Sequence, residues 1–259
     1  MQKQRRPLYL AISVFSVVAF LLVWQTVTAW TQLLLPAQLP SPVEVLRSFI
    51  AKLTSKTPDG ATLGQNILAS LGVSLSGFAL GVVIGVPLGV GMAWSKKADM
   101  FFRPLFDLIR PIPPIAWIPV MILWLGIGTP AKAAIIFLAA LVPCMVNSYT
   151  GIKQVRDVHI WVGKIFGASR RELLTKIALP TALPNIFTGL RIALGASWVS
   201  LVAAEMLAAT RGLGYMIQAS RQMVRVDIVI VGMATIGIIG ALLSFVLTKV
   251  ENKLVRGRK

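Results

Sequence analysis

Residues 71–94 read LGVSLSGFALGVVIGVPLGVGMAW, 24 residues without a charge. A helix rises 1.5 Å per residue, so roughly 20 apolar residues cross the ~30 Å hydrocarbon layer of a bilayer. Gly77, Gly81, Gly85 and Gly89 recur every four residues, on one slowly drifting face. Small residues at that spacing let helix backbones approach closely. The stretch therefore predicts a membrane helix packed against a neighbour.

Composition agrees with this reading. Of 259 residues, 56% are hydrophobic and only 14% charged, against about 25% charged in soluble domains. The net charge of +17 does not point to nucleic acid, because the basic residues lie between the apolar runs rather than across a folded face. Cys144 is the only cysteine and has no partner for an internal disulfide, and His159 is the only histidine. No Cys/His cluster suggests a metal site.

Four further spans and one broken span follow from the same pattern. Leu8–Trp30 is uncharged and longer than a signal-peptide core, so it reads as a first span. Ser41-Pro42-Val43-Glu44 has the form of a helix start. Val45, Leu46, Phe49, Ile50 and Leu53 then share one face of a short interfacial helix. Phe106–Gly128 contains Asp107, Arg110 and four prolines: 111, 113, 114 and 119. Proline-broken backbone is tolerated at membrane depth only where it is buried in protein or faces a cavity, so this span is a candidate to line a path. Asp107 and Arg110, three residues apart, are spaced to pair on a helix. Thr129–Lys132 reads as a tight turn, Ala133–Thr150 as a fourth span, Leu183–Leu207 as a fifth carrying Arg191 and Glu205, and Ile228–Thr248 as the last.

Six spans put both termini on one side. Seventeen of the 26 Lys and Arg residues fall on that side and seven on the other, while Arg110 and Arg191 lie within spans. The positive-inside rule then makes the termini and the segment Val162–Arg191 cytoplasmic. That segment, VGKIFGASRRELLTKIALPTALPNIFTGLR, is the longest polar-rich run in the chain. A charged amphipathic segment between spans belongs at the membrane surface, where it can meet a soluble partner. The chain has no phosphate-binding loop, no G-x-S-x-G elbow and no H-E-x-x-H motif. No grouping of acid, base and nucleophile supports an integral-membrane enzyme. A stand-alone secondary transporter would want an ionisable relay inside its spans, and only Asp107, Arg110, Arg191 and Glu205 are available. No internal repeat is visible at residue level.

Phe166-Gly167-Ala168-Ser169, followed by Leu179-Pro180 and Leu183-Pro184, resembles the cytoplasmic loop of ABC importer permeases. That loop carries E-A-A-x-x-x-G, about nine further residues, then I-x-L-P. Gly167 takes the glycine position and Ile177-Ala178-Leu179-Pro180 matches the end, whereas Trp161, Val162 and Gly163 replace E-A-A. The runs RPIPPIAWIPVMILWLGIG and LVAAEMLAATRGLGYMIQ resemble the branch handling taurine, alkanesulfonates, nitrate and bicarbonate. The resemblance implies an all-α membrane protein with about six transmembrane helices and the type I ABC importer permease fold. On it, residues 1–30 are an N-terminal span, 31–64 an extracytoplasmic interfacial segment, 65–250 the transmembrane domain with a coupling loop at 151–183, and 251–259 a basic cytoplasmic tail.

The resemblance also implies partners: a second copy of the chain, two cytoplasmic ATP-binding subunits that hold ATP and Mg, an extracytoplasmic binding protein, and lipid of a bacterial plasma membrane. No cofactor is expected in this chain. ATPase coupling falls to Trp161, Val162, Gly163, Gly167, Ala168, Ser169, Arg170, Leu179 and Pro180. Trp117, Met121, Trp124, Ser197, Ser200 and Glu205 are candidates for the translocation path. Arg110, Arg191 and Arg211 are candidates for contact with an anion, a sulfonate such as taurine or, alternatively, nitrate or bicarbonate. Arg211, Arg221 and Arg225 face a single acid, Asp227, in the segment 208–227. They serve either to concentrate anions or to meet acidic groups of the binding protein.

Overall fold

The computed structural model describes residues 6–255 apart from 32 and 36, and among these it is helical without strands. Five helices are long and apolar enough to cross a membrane, six if the bent pair of helices at residues 96–109 and 114–125 is taken as one span. The N-terminal basic cluster (Lys3, Arg5) and residues 256–259 of the expected tail lie outside the described residues.

The centre of the bundle is α3 (Leu63–Trp94), α6 (Thr129–Lys153) and α9 (Leu179–Ala208). The glycine stripe of α3 faces α6. A Cβ on Gly77 would stand 2.7 Å from Ile136 Cβ, and one on Gly85 2.9 Å from the Leu141 carbonyl oxygen. No side chain fits there, so the two backbones meet directly. On the other side of α6, Gly151 and Gly189 give α9 the same close approach, against Ala182, Asn185 and Asn147. Ala140, Cys144 and Ala193 fill the seam between the three helices.

Around this centre, α1 (Arg6–Gln25, continued by a π-helical stretch Thr26–Trp30) stands at the periphery with most described side chains exposed. The Trp24 indole donates to the Pro40 carbonyl at 3.1 Å. The helix start at Ser41 is a capping box: the Ser41 hydroxyl accepts from Glu44 N–H, and the Glu44 carboxylate accepts from Ser41 N–H. It opens α2 (Pro42–Lys52), which packs Val45 and Phe49 on the core while Leu46, Ile50 and Leu53 stay exposed. α10 (Leu213–Gln222) and α11 (Val226–Val255) complete the bundle. The Trp198 indole of α9 donates to the Ile236 carbonyl of α11 at 3.1 Å.

Several sequence boundaries are corrected. α3 begins at Leu63 rather than Leu71, because Thr62 and Gln65 form a second capping box. The basic residues 96–103 form the first turns of α4 (Lys96–Ile109), capped by Ser95. The proline-rich span is two pieces: α4, then a 3₁₀ turn Pro114–Trp117 leading into α5 (Ile118–Leu125), with an 82° bend between them. Pro111, Pro113 and Pro114 lack the donors that would carry a helix across the gap. The reversal before α6 is made by Gly126, at φ 75°, and residues 129–132 are the first turn of α6 itself. The polar segment 208–227 contains a packed helix, α10, whose Leu213, Met216 and Ile217 are buried.

The chain order gives the bundle a basic end, with residues 94–99, 150–178 and 250–255, and an α10 end, with residues 31–62, 126–129 and 209–226.

Candidate functional site

At the basic end, α7 (Asp157–Ile165) is followed by a sharp turn into α8 (Arg170–Glu172), which continues through a π-helical stretch, Leu173–Ala178, into α9. Gly167 sits at φ +77°, its N–H bonded to the Lys164 carbonyl and the Ala168 N–H to the Gly163 carbonyl, each at 2.9 Å. This is a Schellman helix end, and glycine takes the left-handed conformation without steric cost. Ser169 then caps α8, with Glu172 returning the bond, and Glu172 pairs with Lys176 at 2.8 Å. α7 folds back on the π-helical stretch because Gly163 leaves room there. A Cβ at Gly163 would lie 2.5 Å from Leu173 Cδ2 and 2.7 Å from Ile177 Cδ1. Arg170 donates to the Trp94 carbonyl at 3.0 Å, closing the last turn of α3.

The outer face of α7 has no partner among the described residues. Val158, Trp161, Val162, Ile165 and Phe166 are exposed, Ile165 and Phe166 by 82% and 85%. Around them lie Lys164, Arg170 and Arg171, also exposed. Thus Trp161, Val162, Gly167, Ala168, Ser169 and Arg170 gather at one surface. Gly163 faces inward, and Leu179 and Pro180 lie in the first turn of α9, where Leu179 packs on Ile152, Ala178 and Ala182.

The residues expected along a path are dispersed. Met121 packs with Ile118, Ala131, Ile135 and Ala204, with Trp117 half-buried at the edge of that cluster, while Trp124 is exposed. Ser197 and Ser200 are buried between helices. Glu205 is 1% exposed and points at α3 and α10. Its carboxylate accepts from the Ser70 hydroxyl at 2.8 Å and the Gly214 N–H at 2.9 Å. Ser70 Oγ accepts from Leu213 N–H at 2.9 Å, and Asn66 Oδ1 from Gly212 N–H at 3.1 Å. Three successive N–H groups at the start of α10 are therefore capped by side chains of other helices, which satisfies donors the helix itself leaves open. Asn66 in turn donates to Asp59 at 2.7 Å, and Asp59 pairs with the buried Lys52. A Cβ at Gly212, φ +127°, would collide with the Glu205 carboxylate. Lys132, buried in the first turn of α6, is the cation that acts on Glu205.

Arg191 pairs with Glu251 of α11 at 3.1 Å, at the basic end, so its charge is already met. Arg211 and Arg221 are exposed at the α10 end and form no ion pair among the described residues. Arg225 is held by Asp227 at 2.7 Å, which raises the Arg225 pKa, and Asp227 also accepts from Ser48 of α2 at 2.6 Å.

Arg110 lines a cavity of about 330 Å³ at the basic end, with Met92, Arg103, Phe106, Asp107, Met145, Val146, Tyr149 and Thr150. The pairing expected between Asp107 and Arg110 does not form. Arg103 instead pairs with Asp99 at 3.0 Å and bonds the Tyr149 hydroxyl. Sequence reasoning missed Asn66, Ser70, Tyr149 and the buried Lys52–Asp59 pair, since each lies inside or beside a run read only for hydropathy or for charge.

Residues 81–257 match the family described as binding-protein-dependent transport system inner membrane component. The chain is 40% identical over 257 residues to the taurine transport system permease protein TauC of Escherichia coli K12, covering 97% of this chain and 92% of that one. It is 33% identical to the nitrate import permease protein NrtB of Synechocystis (93% and 87% covered) and 31% identical to the bicarbonate transport system permease protein CmpB of the same organism (89% and 83%). The fold matches a chain of an inward-facing MetNI methionine ABC transporter with a TM-score of 0.61, over 76% of this chain and 96% of that one, at 20% identity. The chain belongs to the inner-membrane components of binding-protein-dependent transport systems, in the branch of ABC importer permeases that includes those for taurine, sulfonates, nitrate and bicarbonate.

Proposed function

We propose that this multi-pass permease works as a pair of identical copies, driven by two cytoplasmic ATP-binding subunits that supply ATP and Mg, and fed by an extracytoplasmic binding protein. The observation that carries this reading is the uncovered apolar face of α7. Trp161, Ile165 and Phe166 are exposed on a helix whose far side packs on the stretch Leu173–Ala178. An apolar patch rimmed by basic groups is the form of a docking site for a soluble protein. In this reading the basic end and both termini are cytoplasmic, as the positive-inside bias favours. The uncovered side of α4 and α5, with Leu105, Leu108, Ile112, Ile115, Leu123 and Trp124, then faces the second copy and the path.

The solute in this reading is a small sulfonate, taurine or a relative. Similarity to the taurine permease over nearly the whole chain supports this choice. Co-expression with the ATP-binding subunit and binding protein, followed by reconstitution, tests it. ATP-dependent uptake of taurine is the expected result, with neither ATP hydrolysis nor uphill uptake by this chain alone. Uphill uptake by the lone chain would overturn the assignment.

A further inference from the structure

The cavity at the basic end carries two opposite charges, both exposed. Asp107 and Arg110 both line it, and neither side chain makes a hydrogen bond or ion pair among the described residues. Arg103, the other cation of the lining, is already neutralised by Asp99 and fixed over the Tyr149 ring, 5.2 Å from its centre. Met92, Phe106, Met145 and Val146 give the cavity an apolar lining. Because both charges are exposed, a solute entering the cavity can reach them. At about 330 Å³ the space is at the small end of ligand sites.

From this arrangement we infer a subsite for a zwitterion: a short molecule with an oxyanion at one end and a protonated amine at the other. Arg110 presents the planar fork that matches sulfonate oxygens. Asp107 accepts from the ammonium group in a charge-assisted bond. The intervening methylenes lie on the two methionines, whose unbranched thioethers adapt to small apolar shapes. A simple inorganic anion would leave Asp107 unmet and repelling it. The subsite thus selects an aminoalkanesulfonate over a plain alkanesulfonate, nitrate or bicarbonate. This inference rests on the sulfonate reading above and narrows it.

The test is uptake by the reconstituted complex at saturating binding protein, comparing 2-aminoethanesulfonate with ethanesulfonate. Asp107→Asn is expected to slow uptake of the amine-bearing solute about tenfold and leave the other within about twofold, as one lost charged bond implies. Asp107→Glu is expected to restore the difference, and Arg110→Gln to slow both solutes. Equal effects of Asp107→Asn on the two solutes, or none, would overturn the subsite. So would loss of the paired assembly in the Asp107 and Arg110 variants, measured by light scattering, since the charges would then join two copies. If the unaltered complex imports neither sulfonate, the sulfonate reading itself fails and takes the subsite with it.

Discussion

Replacing Glu205 by alanine removes the group on which the start of α10 is hung. Two donors lose their acceptor, the Ser70 hydroxyl and the Gly214 N–H, in a place where water does not reach. Each orphaned donor costs about 1–3 kcal/mol. The Ser70 hydroxyl can turn to a carbonyl one helical turn back, so the lower half of the summed range applies, about 2–4 kcal/mol. For a chain of this size each kcal/mol moves the unfolding midpoint by about 2–4 °C, so a fall of roughly 5–15 °C is expected. Glu205→Gln keeps one acceptor oxygen and the shape, and is expected to fall by about a third as much. The assay is the apparent midpoint of detergent-solubilised protein at one heating rate, because membrane proteins of this kind unfold irreversibly. A Glu205→Ala midpoint within about 2 °C of the unaltered protein would refute the capping role.

Gly81→Leu forces α3 away from α6, because any Cβ there strikes Ala140, and folded protein should be lost; Gly72→Leu, with no atom within 4 Å, should be recovered normally, as gel filtration would show. Gly167→Trp pushes a large side chain into the left-handed region at the end of α7, at about 1–2 kcal/mol; the protein should still insert but no longer copurify with its ATP-binding subunit, and unchanged coupled transport would count against the docking assignment. Charge reversal at the exposed Arg211 should slow uptake even at saturating binding protein; full recovery under saturation would assign this arginine to docking and end its role in attracting anions.

Long-period features were legible from residues alone. The glycine stripe predicted close packing against a neighbouring helix, which the structure shows to be α6, because a four-residue repeat has one geometric consequence on a helix. The helix start at Ser41 was legible because the cap is local. Of the polar run 162–191, the part up to Glu172 lies at the surface as expected, whereas residues 179–191 are the first turns of α9, with Ala182, Ile186 and Phe187 buried. Side-chain direction inside the spans was not legible. Ser197, Ser200, Met121 and Glu205 are spaced like path residues, yet they turn inward, since which face of a helix is buried depends on neighbours far away in sequence. Glu205 meets Ser70 across 135 positions, and Gly212 meets Asn66 across 146. The sequence signal that was available is the pair Gly212 and Gly214 soon after an acid in an apolar run, where a carboxylate and a backbone that admits no Cβ ask for each other.

The two parts of the protomer differ in how they can move. Where α3, α6 and α9 meet at glycines, backbone packs against backbone and against the Cβ atoms of Ala140, Cys144 and Ala182, which leaves little to rearrange, so displacing one helix displaces all three. α4 buries no side chain within the protomer, and the break after it contains three residues without a donor. Few hydrogen bonds oppose a change of angle at residues 110–113, and that is where α4 and α5 can swing. The joint between the rigid unit and the swinging one is Trp94–Ser95: Trp94 ends α3 and Ser95 caps α4. Arg170, at the start of α8, binds the Trp94 carbonyl. In the proposed assembly, a push on α7 reaches the start of α4 through one turn and one hydrogen bond, and the cavity lined by Asp107 and Arg110 lies on the arm that it moves.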